Sequence, residues 1–150
     1  MYRHILIPTD GSELAERGVT HGLALAKSLG AKVSVIFVVE PFSEMTGRFQ
    51  EAVATYAELR KEQATSALER AANAAKEVGI SCKTTQVENG QPHQAIIAAA
   101  EDKGCDLIVM SSHGRSGLAM LLIGSVTNKV LTHAKTPVLV VSDSADRSVK

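Results

Sequence analysis

Short apolar runs alternate along this chain with longer stretches in which apolar residues recur every three or four positions. The runs at residues 5–7, 33–39, 106–110 and 136–141 are compact and rich in Val, Ile and Leu, which predicts buried β-strands. A weaker run from Ile80 to Glu88, rich in Thr and Val, predicts a strand near one edge of a sheet. The pattern therefore predicts about five strands separated by longer segments.

The segments between the strands carry the signals of helices. Ser12 can cap a first helix and Gly30 can end it, while Pro92 suits the first turn of a third. A stretch rich in Ala, Glu and Lys predicts a long second helix over about 51–78. A fourth helix is predicted to open at Gly124–Ser125.

Strands that alternate with helices are joined by right-handed crossovers and pair in parallel. We therefore predict an α/β fold with a doubly wound, mostly parallel sheet of about five strands, in a single domain over residues 1–150. Residues 42–50 are predicted to form an irregular connection, or flap, and residues 142–150 a frayed tail.

The long second helix combines an apolar stripe with many charged residues. Its predicted inner stripe consists of Val53, Tyr56, Ala64, Leu68, Ala71 and Ala75. Because charge runs on a helix usually face water, we predict a solvated face that consists of Glu58, Arg60, Lys61, Glu62, Glu69 and Arg70.

Composition narrows the functions that such a fold can serve. The 16 Lys and Arg residues balance 16 Asp and Glu residues, aromatic residues make up 3% of the chain, and Trp is absent. A binder of phosphate backbones shows a basic excess and a binder of single strands shows aromatic platforms, so we expect no nucleic-acid partner. The longest apolar runs, of about six residues, are too short to span a bilayer, so we expect no membrane partner.

Two further features bear on the compartment. The first residues lack the charged and apolar pattern of a secretory signal. Cys82 and Cys105 lie far apart in the sequence, form no metal-type or redox-type pair, and are expected to be small, partly buried apolar residues. We therefore expect a cytoplasmic location.

Three loops that follow predicted strands have unusual compositions, at residues 8–10, 38–40 and 111–117. In a parallel sheet the carboxyl ends of all strands meet at one edge, where open α/β folds bind their ligands. In the longest of these loops, Gly114 permits positive φ and a close approach of backbone to a ligand. The helix that opens at Gly124–Ser125 presents free N–H groups, which attract an anion.

Several side chains could complete this phosphate cradle. His113 and Arg115 could add charge, and the hydroxyls of Ser111, Ser125 and Thr127 could add donors. The alternative is an ordinary turn followed by a helix start that a serine assists. No Gly-Lys-Ser/Thr closes the loop, so it is not a Walker A sequence, and the first loop lacks the Rossmann glycine spacing.

Asp10 and Val38 are further candidates. Asp10 follows a strand and Pro8, so its carboxylate lies at the edge of the sheet, where it could accept from ribose hydroxyls or help to hold a divalent ion. Alternatively, Asp10 only shapes the turn before the helix at Ser12. The backbone of Val38 could pair with an adenine edge, although a core valine is the simpler interpretation.

These segments resemble the universal stress protein family over nearly the whole chain, from Ile5 to Val141. Residues 5–12 resemble the family's first strand and loop, and residues 136–141 resemble its closing strand. Residues 112–117 followed by residues 121–127 resemble its signature.

The ATP-binding branch of the family is marked by Gly-x-x-Gly, nine residues, and Gly-Ser/Thr. Gly114 and, after nine intervening residues, Gly124–Ser125 match this motif, while Ser111 stands where the first glycine is usual. The resemblance implies a sheet of order 3-2-1-4-5, like that of the adenine nucleotide alpha hydrolases. It also implies a site for ATP, or for AMP or ADP, with Mg²⁺ held mainly through the phosphates and Asp10 as a candidate ligand.

By resemblance, Asp10 contacts the ribose and Val38 contacts the adenine. The two lines of reasoning together predict a nucleotide site that consists of Pro8, Thr9, Asp10, Val38, Met110, Ser111, His113, Gly114, Arg115, Gly124, Ser125, Val126 and Thr127. No water-activating carboxylate is evident beside the phosphate loop, so hydrolysis is expected to be slow at most. We expect no catalytic residue and a regulatory, stress-response role through an unknown protein partner.

The resemblance also implies a homodimer that pairs through the last strand, Val138, Leu139, Val140 and Val141, because an apolar edge invites such pairing. A rival hypothesis follows from Ser111. In it, the chain is a dimeric interaction protein of the same fold that does not bind nucleotide.

The five histidines are scattered along the chain at His4, His21, His93, His113 and His133. No pair has the spacing of ligands on one helix face, so surface or capping roles are expected for all but His113, which lies in the predicted phosphate loop. Ser112 and His113 are adjacent and no Gly-x-Ser-x-Gly motif occurs, which argues against a hydrolase with a Ser-His nucleophile.

Overall fold

The computed structural model describes residues 1–41, 50–113 and 123–142. Strands and helices alternate along the chain, as the apolar pattern predicts. Their bounds are β1 (His4–Thr9), α1 (Glu13–Leu29), β2 (Lys32–Val39), α2 (Gln50–Val78), β3 (Cys82–Glu88), α3 (Pro92–Lys103), β4 (Leu107–Ser111), α4 (Ser125–His133) and β5 (Val138–Val141).

The five strands form one parallel sheet of order β3-β2-β1-β4-β5, which confirms the predicted 3-2-1-4-5 arrangement. From β1 the chain first moves outward through β2 to β3. It then returns to the other side of β1 and continues through β4 to β5. The winding direction therefore reverses between β1 and β4, and the carboxyl ends of all strands lie at one edge.

The core consists of two apolar clusters, one on each face of the sheet. Along β1, Ile5 and Ile7 belong to the cluster under α1 and α2, whereas Leu6 belongs to the cluster under α3 and α4. Val109 and Ile108 of β4 alternate in the same way. All five side chains are fully buried, because a central strand in a doubly wound sheet is covered on both faces.

Two strands begin two residues later than predicted. β3 begins at Cys82 because Gly79, at φ 75°, ends α2, and the N–H of Ile80 still donates to Ala75 at 2.9 Å as part of that helix cap. β5 begins at Val138, just after Pro137, since proline has no N–H to donate to a ladder.

The assignment of Arg60 to the solvated face of α2 is wrong, because this side chain is only 6% exposed. Position 60 lies four residues after Tyr56 and four before Ala64, so it belongs to the inward stripe. Its guanidinium carbon lies 5.1 Å from the centroid of the Phe37 ring, and it donates a hydrogen bond to Gln63. These contacts offset the cost of burying the charge. The other charged residues of that face are exposed, namely Glu58, Lys61, Glu62, Glu69 and Arg70.

Several remaining predictions concern surface or segment properties. Both cysteines are free, and burial is the main cause that raises the pKa of the Cys105 thiol to about 11.

Among the helices of the described segments, none is long and apolar enough to cross a membrane. The predicted flap lies outside the described residues apart from Gln50, and the predicted tail does so apart from Ser142.

The start of β1 is tied to the turn before β4 by a carboxylate. Asp106 accepts hydrogen bonds from the backbone N–H of Arg3 at 2.9 Å and from that of His4 at 3.1 Å. Burial alone would raise the pKa of Asp106, but these N–H donors outweigh it and lower the pKa below its usual value. A lowered pKa in the folded state means that the ionised carboxylate stabilises the fold.

We therefore expect Asp106→Asn to lower the free energy of unfolding by about 1 kcal/mol at neutral pH. This contribution is present above the unfolded pKa of the carboxyl and is lost as the pH falls through the folded pKa. The difference between wild type and variant should thus shrink between pH 7 and pH 3. Urea unfolding of wild type and variant at pH 7 and at pH 3 measures this difference in the free energy of unfolding.

Asp102→Asn provides the control, since Asp102 lies exposed on α3 close by. It removes the same charge without removing these hydrogen bonds. An equal loss in both variants, or a difference that does not change with pH, would contradict the role assigned to Asp106.

Candidate functional site

A cavity of about 270 Å³ opens at the carboxyl edge of the sheet, beside the point where the winding direction reverses. Strands β1, β2 and β4 contribute their ends, and all four helices contribute side chains. The lining residues are Pro8, Thr9, Asp10, Ala15, Val38, Glu40, Arg60, Pro92, Ile96, Met110, Ser111, Gly124, Ser125, Val126 and Thr127.

Part of the lining is apolar. Pro8 and Met110 stand near the ends of the two central strands, Val38 near the end of β2, and Ile96 on α3. Val38 is only partly buried, so it is a cavity wall rather than a fully enclosed core residue. Apolar walls with a few convergent polar groups are typical of small-molecule sites.

The polar part of the lining centres on the start of α4. Gly124 is its N-cap residue, and the described side chains supply no cap hydrogen bond there. The N–H of Gly124 itself donates to the carbonyl of Ser112 at 2.7 Å. The N–H groups that are available to donate to an anion therefore begin at Ser125 rather than at Gly124.

Two hydrogen bonds hold this helix start against the end of β4. One is the bond from Gly124 to Ser112, and the other joins the Thr127 hydroxyl to the carbonyl of Ser111 at 2.9 Å. Thr127 is 3% exposed, so its hydrogen bond is shielded from water. The position of the N–H groups at the cavity is thus fixed by the strand itself.

Ser111 is compatible with its place at the cavity. It is the last residue of β4, and no described non-glycine residue has a positive φ, so the backbone here does not require glycine. Its hydroxyl donates to the carbonyl of His113 at 2.7 Å. A Cβ on Gly18 would lie 3.2 Å from the backbone nitrogen of Ser111, so a small residue on α1 allows this close packing.

Asp10 is held by the turn that joins β1 to α1. Its carboxylate accepts from the N–H of Ser12 at 2.9 Å, and the Ser12 hydroxyl accepts from Ala15 at 3.1 Å. Gly11, at φ 79°, lets the chain make this turn. Asp10 therefore shapes the turn and also lines the cavity, so the two alternatives for this residue coexist.

Charged side chains of both signs face the cavity. Arg60 lines it from α2, opposite in sign to Asp10 and Glu40 at the ends of β1 and β2. The described residues include no group of three or more His, Cys, Asp or Glu side chains that could hold a metal ion.

Most of the predicted site residues meet in this cavity, but His113 does not line it. The His113 side chain is 5% exposed, its Nδ1 lies 3.1 Å from the Ser112 hydroxyl, and its Nε2 has no hydrogen-bond partner among the described residues. Gly114 and Arg115 lie outside the described residues. The predicted residues that line the cavity are Pro8, Thr9, Asp10, Val38, Met110, Ser111, Gly124, Ser125, Val126 and Thr127.

Sequence reasoning missed five lining residues, namely Ala15, Glu40, Arg60, Pro92 and Ile96. The four-residue steps from Tyr56 to Arg60 and on to Ala64 could have identified Arg60 as inward-facing. Glu40 belongs to the loop at residues 38–40, which the sequence places at this edge of the sheet without identifying Glu40 as a site residue.

If the Thr127 hydroxyl fixes α4 to β4, Thr127→Val should lower the free energy of unfolding by about 1 kcal/mol, because it removes the hydrogen bond to the carbonyl of Ser111. Thr132→Val is the matched control on the same helix. The Thr132 hydroxyl bonds within α4, to Asn128 at 2.8 Å, and is exposed. Denaturant unfolding of both variants measures the difference, and equal losses would contradict the role of Thr127.

Comparison with known proteins agrees with the fold and identifies the family. The profile of the Universal stress protein family matches residues 1–142. A universal stress protein of Methanocaldococcus jannaschii, MJ0531, is 38% identical over 143 residues, which cover 94% of this chain and 82% of that protein.

Solved structures extend the comparison. The structure of MJ0577, also from Methanocaldococcus jannaschii, has a TM-score of 0.82 at 34% identity and covers 94% of this chain and 96% of its own. A universal stress protein in complex with cAMP has a TM-score of 0.68 at 26% identity, with 94% and 97% covered. This chain therefore belongs to the universal stress protein family.

Proposed function

We propose that this chain binds an adenine nucleotide, with ATP as the first candidate and AMP or ADP as alternatives, and that it acts as a nucleotide-dependent regulatory protein in the stress response. The observation that carries the proposal is the α4 N-terminus, which lacks a side-chain cap among the described residues and opens onto the same cavity as Asp10 and an apolar wall. Nucleotides combine the same three chemistries in one molecule, namely phosphate, ribose and a flat base.

Each part of a nucleotide has a chemical match in the lining. The N–H groups from Ser125 onward suit phosphate oxygens. The Asp10 carboxylate can accept from ribose hydroxyls, and the apolar side chains of Val38 and Met110 can cover the base. Arg60 adds a buried positive charge that favours an anionic ligand. We expect Mg²⁺ to enter with the phosphates, with Asp10 as its candidate protein ligand.

A relative of known structure supports this choice of ligand class, since a universal stress protein 26% identical to this chain holds cAMP. A regulatory role fits better than an enzymatic one. Of the two carboxylates in the described lining, Asp10 already accepts an N–H from Ser12, and Glu40 is exposed at the end of β2. We therefore expect at most slow hydrolysis, and a cytoplasmic location where ATP is abundant.

Calorimetric titration of the purified protein with ATP, with and without Mg²⁺, should give a dissociation constant of about 1 µM or tighter, or about −8 kcal/mol. Nucleotide released on denaturation identifies any ligand that copurifies. Gly124→Leu should weaken binding at least about a hundredfold (about 2.7 kcal/mol), because a large side chain then stands at the start of α4. The backbone need not change, since φ −61° and ψ 158° suit any residue.

Asn128→Leu is the control, because Asn128 lies exposed on the same helix and does not line the cavity. It should bind ATP like the wild type. If neither titration nor denaturation reveals a nucleotide, the rival hypothesis of an interaction protein without a nucleotide is favoured. If Gly124→Leu binds normally, the phosphate position is wrong.

We further propose that the chain forms a homodimer through β5. The two edges of the sheet differ, since β3 carries Lys83, Gln86 and Glu88 whereas β5 consists of Val and Leu alone. Charged side chains protect an edge strand from pairing, and an apolar edge without them invites it. Leu139 is 37% exposed and Leu131 of the neighbouring α4 is 41% exposed.

Leu139→Lys should therefore convert a dimer into a monomer, because it places a charge on the pairing edge. Gln86→Lys makes the matching change on the exposed β3 edge and should leave the dimer intact. Light scattering coupled to size-exclusion chromatography gives both masses. A wild type that is monomeric at tens of micromolar, or a dimer that survives Leu139→Lys and not Gln86→Lys, would exclude β5 as the interface.

A further inference from the structure

Two histidines that lie 40 positions apart in the sequence become neighbours in the fold. His93 lies in the first turn of α3, and His133 is the last residue of α4. Their ring centroids are 5.9 Å apart, and the ring planes are tilted by 43°. His133 is exposed and His93 is partly exposed, so an ion from solvent can reach both rings.

The hydrogen bonding of His133 selects its tautomer. Its Nδ1 lies 2.9 Å from the carbonyl oxygen of Lys129. A carbonyl can only accept, so Nδ1 carries the proton and donates it. Nε2 is then left with a free lone pair. A histidine that binds a metal through one nitrogen commonly donates its other N–H to a backbone carbonyl, because this bond orients the ring and raises its basicity.

We propose that His93 and His133 form a binding site for a zinc-like transition dication that bridges α3 and α4. Imidazole nitrogens suit Zn²⁺, Ni²⁺ and Cu²⁺, whereas Mg²⁺ prefers oxygen ligands. A metal held at about 2.1 Å by one nitrogen of each ring keeps the two ring centroids about 5–6 Å apart, near the distance seen here. This metal site is distinct from the Mg²⁺ that we expect to enter the cavity with the phosphates.

The environment of the pair sets limits on the affinity. The described residues offer no group of three or more His, Cys, Asp or Glu ligands, so water completes the coordination sphere around two protein nitrogens. The positive charge of Lys129 also acts on His93 and opposes a bound cation. We therefore expect an exchangeable ion that responds to its concentration, rather than a permanent structural zinc.

A metal at this position has a mechanical consequence. Pro92, directly before His93, and Ile96 line the cavity from α3, while Gly124–Thr127 line it from α4. An ion that joins His93 to His133 restrains the two helices that form this wall. The metal site does not depend on the proposed nucleotide function, since both ligands are present without any nucleotide.

The experiment is a calorimetric titration of nucleotide-free protein with Zn²⁺ in a buffer that does not chelate metals. We expect one Zn²⁺ per chain, and His93→Ala and His133→Ala should each weaken binding at least tenfold. A saturating Zn²⁺ concentration should raise the melting temperature of the wild type by about 3 °C and leave that of either variant unchanged.

His21→Ala is the matched control, because His21 lies exposed on α1 and far from the pair in the sequence. It should bind Zn²⁺ like the wild type. Unchanged Zn²⁺ affinity in the His93→Ala/His133→Ala double variant would overturn the proposal, as would a wild type that does not bind Zn²⁺ at 1 mM. A failure of ATP binding in the separate titration would leave these results unaffected.

Discussion

The parallel pairing of β1 with β2 on one side and with β4 on the other is the constraint on which the site depends. The helix after β1 packs in the cluster on one face of the sheet, and α4, after β4, packs in the cluster on the other face. The segments that follow β1 and β4 therefore diverge at the carboxyl edge and leave a cleft between them. The cavity lies in this cleft.

A small set of backbone and side-chain hydrogen bonds fixes the polar groups that line the cleft. The carboxylate of Asp10 is oriented by Ser12, and the start of α4 is fixed to β4 through Thr127. These bonds hold a carboxylate and a row of helix N–H groups on the two sides of the cleft. Because these groups are already ordered, the proposed nucleotide would not have to order them when it binds. Arg60 adds charge from a third direction, and Phe37 supports it.

The remaining features concern how the domain meets other molecules. The polar β3 edge and the apolar β5 edge give the sheet one protected side and one side suited to pairing. The pair His93 and His133 lies where α3 begins and α4 ends, next to the cavity wall. The proposed nucleotide, the proposed second copy and the proposed metal would thus all contact α4 or an element beside it.

The sequence by itself determined the elements, the sheet class and most of the cavity, because hydrophobic periodicity and glycine positions are local properties of the chain. Gly79 and Gly104 end their helices as local chemistry requires. Only the tertiary structure decided that the N–H of Gly124 already donates to Ser112 and that His113 does not line the cavity. It also decided that His93 meets His133. These outcomes depend on which distant segments pack together, and spacing along the chain carries no information about such contacts.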